Sequence, residues 1–275
     1  MSDLLSPLGT YVGADLLLSN SQEFKLGAAP PTALQLEQWA LFLDLDGTLI
    51  EFASEPQAVT VDASLLRLLQ RLALQAGGAL ALVSGRSVEA IDSLLDPSRF
   101  PASGLHGFER RDASGVHSRH AAPSPQALAT ARRLLAQLAT QDPRIRFEDK
   151  RFALALHFRQ APELESSLIE AARPIAAQVG GGLELLLGPM MIELSPQGVS
   201  KASAIAEFMR ESPFRGRRPL FVGDDATDEL AFEWVNAAGG LSVAVDVTGE
   251  TAAGTRLGSV REVRSWLHGL LGRPA

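Results

Sequence analysis

Ala40-Leu41-Phe42-Leu43 forms an unbroken apolar run that stops at Asp44. A run this short suits a buried strand better than a helix. Similar runs recur at 79–83, 219–222 and 241–245, and a shorter one ends near Leu105-His106-Gly107. Between them, apolar residues return at helical spacing. Leu65, Leu66, Leu69, Leu72 and Ala73 follow Asp62, a natural N-cap, and Gly77-Gly78 stops the helix. Further helices are predicted over 87–95, from Ser200 to Arg210, up to Asn236, and over 260–271. Strand and helix in alternation predict a Rossmann-like parallel sheet with right-handed crossovers.

The rhythm changes between about 108 and 195. Ser124-Pro125 opens a helix with Leu128, Leu134, Leu135 and Leu138 on one face, closed by Asp142-Pro143. Strands are predicted over 145–148 and 151–159. The second alternates Phe152, Leu154, Leu156 and Phe158 with Arg151, Ala153, Ala155, His157 and Arg159, giving one buried and one open face. A helix over 162–179, kinked at Pro174, ends at Gly180-Gly181-Gly182, and a hairpin about Gly188-Pro189 joins 183–187 to 190–194. The order αββαββ predicts an inserted α+β cap with an antiparallel sheet plus helices. The expected division is therefore an N-terminal extension at 1–37, an α/β core at 38–107 and 196–275, and an inserted cap domain at 108–195. Leu4, Leu5, Tyr11, Val12 and Leu16 to Leu18 offer the extension apolar contacts, and docking or a loose tail are both open for it.

Composition narrows the chemistry. The 275 residues are 46% hydrophobic, enough for a real core, and no stretch reaches the roughly 18 apolar residues of a membrane span. A net charge of -7 argues against non-specific nucleic-acid binding. With no cysteine, disulfides and thiolate chemistry are excluded. Five histidines and no H-E-x-x-H pattern mean that a metal site would be built from carboxylates, which favours Mg²⁺ over zinc. The N-terminus lacks a basic n-region and a small-residue cleavage pattern, so a cytoplasmic protein is expected, a monomer or weak homodimer with no membrane or nucleic-acid partner.

Four stretches carry candidate chemistry. In Asp44-Leu45-Asp46-Gly47-Thr48 the two aspartates lie two apart and point together beyond the strand's carboxyl end, where open α/β sheets place ligands. Two carboxylates that close need a cation, a shared proton or a division of labour. Taken alone, the five residues fit an ordinary turn equally well. Ser84-Gly85-Arg86 offers a hydroxyl and turn amides to a phosphate, although a helix cap accounts for Ser-Gly more simply. Lys201 stands in the first turn of a helix, where the macrodipole disfavours a cation. It either anchors a phosphoryl group or is a surface lysine tolerating a small cost. Gly223-Asp224-Asp225-Ala226-Thr227-Asp228-Glu229 ends a buried strand. Helix-start preferences explain Asp225, Asp228 and Glu229 but leave Asp224 to a hard cation.

In order and spacing these four stretches resemble the motifs of the haloacid dehalogenase superfamily of phosphohydrolases, over roughly 38–271. Finer features resemble its trehalose-6-phosphate phosphatase family. They are Gly-Asp-Asp-x-Thr-Asp-Glu, the run Glu193-Leu194-Ser195-Pro196-x-Gly198-Val199-x-Lys201, and Glu148-x-Lys150 followed by His157-Phe158-Arg159. Phe158 and Ala202 replace the tyrosine and glycine usual there. The resemblance implies Mg²⁺-dependent hydrolysis of a sugar phosphate, trehalose 6-phosphate, through an aspartyl phosphate. Asp44 would be the nucleophile and Asp46 the general acid and base. Ser84 and Lys201 would hold the phosphoryl oxygens. The metal would sit on Asp44, the Asp46 carbonyl and Asp224, with Asp228 assisting. Arg86, Glu148, Lys150, His157, Arg159 and Glu193 would contact substrate. A phosphatase for sucrose phosphate or mannosyl-glycerate phosphate, a phosphotransferase, and a non-catalytic sugar-phosphate-binding module are the alternatives.

Overall fold

The computed structural model describes residues 28–51, 61–95, 100–188 and 190–272. The apolar contacts expected of Leu4, Leu5, Tyr11, Val12 and Leu16 to Leu18 lie outside the described residues, as does Pro189 of the expected hairpin. The described end of the extension meets the body: Ala28 bridges Thr255 in parallel, and Trp266 Nε1 donates to the Pro31 carbonyl at 2.8 Å.

The first unit contains β1 (Trp39–Leu43), α1 (Ala63–Gln75), β2 (Leu80–Val83), α2 (Val88–Leu95) and β3 (Ala102–Gly104). A hairpin follows, β4 (Glu109–Arg111) and β5 (His117–Arg119). The insert holds α3 (Pro125–Ala139), β6 (Arg146–Asp149), β7 (Leu154–His157), α4 (Glu165–Val179), β8 (Leu183–Gly188) and β9 (Met191–Pro196). The chain then returns through α5 (Lys201–Phe208), β10 (Arg218–Gly223), α6 (Glu229–Ala237), β11 (Leu241–Val245), β12 (Thr255–Leu257) and α7 (Val260–Leu270).

The first sheet runs β12-β11-β10-β1-β2-β3-β4-β5 and is parallel as far as β3. All five residues of β1 are buried, as an interior parallel strand covered on both faces requires. Phe42 on β1 stacks on Phe214 at 5.5 Å between ring centroids and packs on Phe208 of α5 at 6.0 Å. Helix starts follow the sequence: Asp62 accepts from the amides of Ser64 and Leu65, and Ser124 from that of Ala127. The second sheet, β6-β7-β9-β8, is wholly antiparallel and packs α3 and α4 over a core of its own, with Leu154, Leu156 and Phe158 facing Ala131, Leu135 and Leu168. The fold class is thus a parallel-sheet α/β body carrying a separate antiparallel α+β unit.

Two local expectations fail. β4 and β5 fall inside the range expected for the insert, yet they pair antiparallel onto β3 and extend the first sheet. Their three-residue strands are too short to show period-two patterning. The strand expected over 151–159 is only β7. Lys150 to Ala153 forms a turn closed by the Lys150 amide on the Ala153 carbonyl, with Arg151 at φ 72°. Phe152 leaves the insert's core and stacks on Phe108 of the first unit at 4.2 Å, joining the two units.

Candidate active site

β1 and β10 are parallel neighbours in register, Leu43 opposite Val222, so Asp44 and Asp224 emerge side by side at the sheet's carboxyl edge. The Asp44 amide donates to the Val222 carbonyl at 3.0 Å, fixing that juxtaposition through the backbone. Beyond Gly223 the chain turns through Ala226–Asp228 into α6. Asp228 folds back so that its Oδ2 accepts from the amides of Asp224 (3.0 Å) and Asp225 (3.1 Å). A Cβ at Gly223 would collide with that carboxylate, which is why glycine is required there. Asp44, Asp224 and Asp228 each offer an oxygen, and these three lie within 4.8 Å of one another.

Lys201 lies at this cluster's centre. Ser200 caps α5 with a reciprocal bond to Ser203, which turns the Lys201 side chain inward. Its Nζ is 2.6 Å from Asp228 Oδ1 and 3.1 Å from Asp44 Oδ2, and the side chain is 2% exposed. Burial alone would lower its pKa, but Asp228 and Asp44 more than offset this and hold the ammonium above its ordinary value. Burial pushes the Asp44 carboxyl well up, Lys201 opposes the shift, and Asp228 and Asp224 reinforce it. Burial and then Asp228 push Asp224 up to about 7. Two buried acids and a half-buried third, served by one lysine, are short of positive charge. A hard divalent cation accepted by carboxylate oxygens fits this donor set.

The turn after β1 is built for the same edge. The Leu45 carbonyl accepts from the amides of Leu49 (2.8 Å) and Ile50 (2.9 Å), and Gly47 has φ 74°. Thr48 Oγ1 donates to Asp224 Oδ1 at 3.1 Å, a link that nothing in the local pattern signals. The Asp46 carboxylate stands apart from the cluster, gripped by Arg86 through Nε and Nη2 at 2.6 Å each. Ser84 is buried at the end of β2, its Oγ accepting from the Arg86 amide at 3.2 Å.

The insert carries a second polar set, of which Glu193 reaches the cleft between the units. Lys150 Nζ bonds Glu193 Oε2 at 2.9 Å, with both side chains buried. His157 Nε2 pairs with Glu148 Oε2 at 2.8 Å, half exposed. Strand register explains the grouping: Glu148 faces Ala155 and Ala155 faces Glu193, so both acids share one face of the sheet across β6, β7 and β9. A cleft of about 750 Å³ runs between the units, lined by Lys201, His106 and Glu193 together with Leu187, Met190 and Leu230. Arg159, expected beside His157, is exposed in the turn after β7; like Glu148, Lys150 and His157 it is not among the residues that line this cleft.

A trehalose-phosphatase family model matches residues 42–258. The chain belongs to the trehalose-phosphatase family. The trehalose-6-phosphate phosphatase of Escherichia coli (strain K12) is 46% identical over 233 residues, covering 84% of this chain and 85% of that one. A probable trehalose-phosphate phosphatase of Sinorhizobium fredii is 40% identical over 236 residues, covering 83% and 86%. Among solved structures, the Aspergillus fumigatus trehalose-6-phosphate phosphatase superposes with a TM-score of 0.67 at 25% identity, covering 90% of this chain and 100% of that one. The fold of the C-terminal domain of the Candida albicans trehalose-6-phosphate phosphatase matches with a TM-score of 0.68. Three of the motifs of this trehalose-phosphatase chain follow strand ends, after β1, β2 and β10, and the fourth, Lys201, opens α5.

His106 is the residue at this edge to which sequence reasoning gave no role. It was legible only as part of a strand ending, because its significance lies in a backbone conformation that no spacing reveals.

Proposed function

We propose that this protein hydrolyses trehalose 6-phosphate to trehalose and inorganic phosphate, with Mg²⁺ held by Asp44 and Asp224 and supported by Asp228. The observation that carries this reading is the convergence of those three carboxylates on Lys201, beside a cleft that Lys201 and the insert's Glu193 both line. When bound, the ion would keep Asp44 ionised and absorb charge on the phosphoryl oxygens. Asp44, fixed by the hydrogen bond its backbone N–H donates to the Val222 carbonyl, attacks phosphorus; the phosphorus–sugar oxygen bond breaks and an aspartyl phosphate forms. Asp46 gives a proton to the departing sugar oxygen and then takes one from the water that hydrolyses the aspartyl phosphate. Arg86 orients Asp46 through its two-point grip, a role that supersedes the direct substrate contact expected of it from sequence. Lys201 and the hydroxyl of Ser84 hold the phosphoryl oxygens.

The insert acts as a cap over the sugar and keeps water from the aspartyl phosphate. Glu148, Lys150 and Glu193 face the substrate, carboxylates accepting from hydroxyls and the lysine donating. His157 orients Glu148. Release of inorganic phosphate from trehalose 6-phosphate, with and without Mg²⁺, tests the reading. Turnover that needs the metal is expected. Better turnover on sucrose phosphate or mannosyl-glycerate phosphate would replace the substrate, and no turnover on any ester would end the proposal.

A further inference from the structure

Leu105, His106 and Gly107 occupy the left-handed region in succession, at φ 52°, 57° and 109°. For Leu and His this is a strained conformation, and strain of this kind persists only where surrounding contacts impose it. They do so from two sides. The Leu105 and His106 amides donate to the carbonyls of Arg86 (2.9 Å) and Ser84 (3.1 Å), tying the turn to the phosphate loop. On the other side Gly107 abuts the Ser200 backbone at the start of α5, so closely that any Cβ would clash. The turn therefore wedges between Ser84-Gly85-Arg86 and Lys201.

This wedge sets the imidazole at one point. The ring lies over Gly85, where an added Cβ would stand 2.7 Å from Nε2. Gly85 has no left-handed backbone requirement, so its glycine makes room for His106. The ring borders the cleft with Lys201 and Glu193, and its Nδ1 is buried without a hydrogen-bond partner among the described residues. Burial, then the charges of Lys150 and Lys201, hold its pKa well below the ordinary value. An uncharged imidazole offers one donor and one acceptor, the pairing a sugar hydroxyl presents and a phosphoryl oxygen does not.

We propose that His106 is a specificity residue that hydrogen-bonds a hydroxyl of the sugar carrying the phosphate, at the junction between the phosphate loop and the Lys150–Glu193 pair. This rests on the sugar-phosphatase reading above. The test compares His106→Ala, His106→Asn and His106→Gly on trehalose 6-phosphate and on p-nitrophenyl phosphate, which has no hydroxyl to bind. The ratio of kcat/KM for the sugar ester to that for the aryl ester is expected to fall about tenfold or more in the Ala and Gly variants. The Asn variant, which tolerates the left-handed backbone and keeps a donor and an acceptor, should recover part of the ratio. Glycine relieves the backbone strain, so that variant should melt no lower than the parent while still losing the ratio, which separates recognition from folding. An unchanged ratio, or equal losses on both esters, would overturn the assignment. If the parent enzyme prefers another sugar phosphate, the function proposed above fails on its substrate, and the same ratio measured on the preferred ester still decides His106.

Discussion

Arg86 holds both oxygens of the Asp46 carboxylate at 2.6 Å, across 40 residues of sequence. The two side chains come from adjacent strand ends, β1 and β2, and neither is fully exposed. A planar guanidinium fixes a carboxylate's direction in a way a lysine cannot. Arg86→Lys should therefore lower kcat by about ten- to a hundredfold with little change in KM for trehalose 6-phosphate, the pattern of a lost orientation. Steady-state kinetics decide. A rise in KM at unchanged kcat would return Arg86 to substrate binding.

Asp44→Asn removes the proposed nucleophile while keeping its shape. Turnover should fall by a factor of about a thousand or more, and the far-ultraviolet circular dichroism should match the parent. Because burial and two neighbouring acids oppose ionisation of Asp44, the neutral side chain should not lower the melting temperature of the metal-free protein. Substantial residual turnover would end the nucleophile assignment.

Asp224 gives a dependence on pH. Its carboxyl is pushed up to about 7 in the folded metal-free protein, against an ordinary value near 3.8. Between these values the folded state binds more protons than the unfolded one, so the metal-free protein should lose stability as pH rises through that window. Mg²⁺ competes with the same proton. The increase in melting temperature on adding Mg²⁺ should thus be large at pH 8 and shrink toward pH 5, as differential scanning calorimetry can read. A metal effect that does not change with pH would exclude Asp224 as a ligand.

Glu148 is half exposed on the insert's sheet, paired with His157. Glu148→Ala should raise KM for trehalose 6-phosphate about tenfold and leave p-nitrophenyl phosphate turnover much less affected. Equal effects on both esters would remove Glu148 from sugar recognition.

Much of this architecture was legible in the chain. The uninterrupted apolar runs gave β1, β2, β10 and β11, since interior parallel strands bury both faces and need no alternation. The caps at Asp62, Ser124 and Ser200 gave three helix starts, because capping is local chemistry. The short β4, β5 and β12 were missed, since three residues hold too little pattern and their pairing is decided by a distant strand edge.

For the site, sequence determined which residue types stand at the strand ends, the aspartate pair, the serine and the second acidic run, and that a lysine opens a helix. It could not determine how they divide. Only tertiary structure separated Asp46, gripped by Arg86, from Asp44, gathered with Asp224 and Asp228 around Lys201. It also placed His106 at the cleft beside Lys201 and Glu193. The physical reason is one of range. Propensity, capping and periodicity act within a few residues, whereas the partner of a buried charge is set by strand order and by turns that converge from positions more than a hundred residues apart.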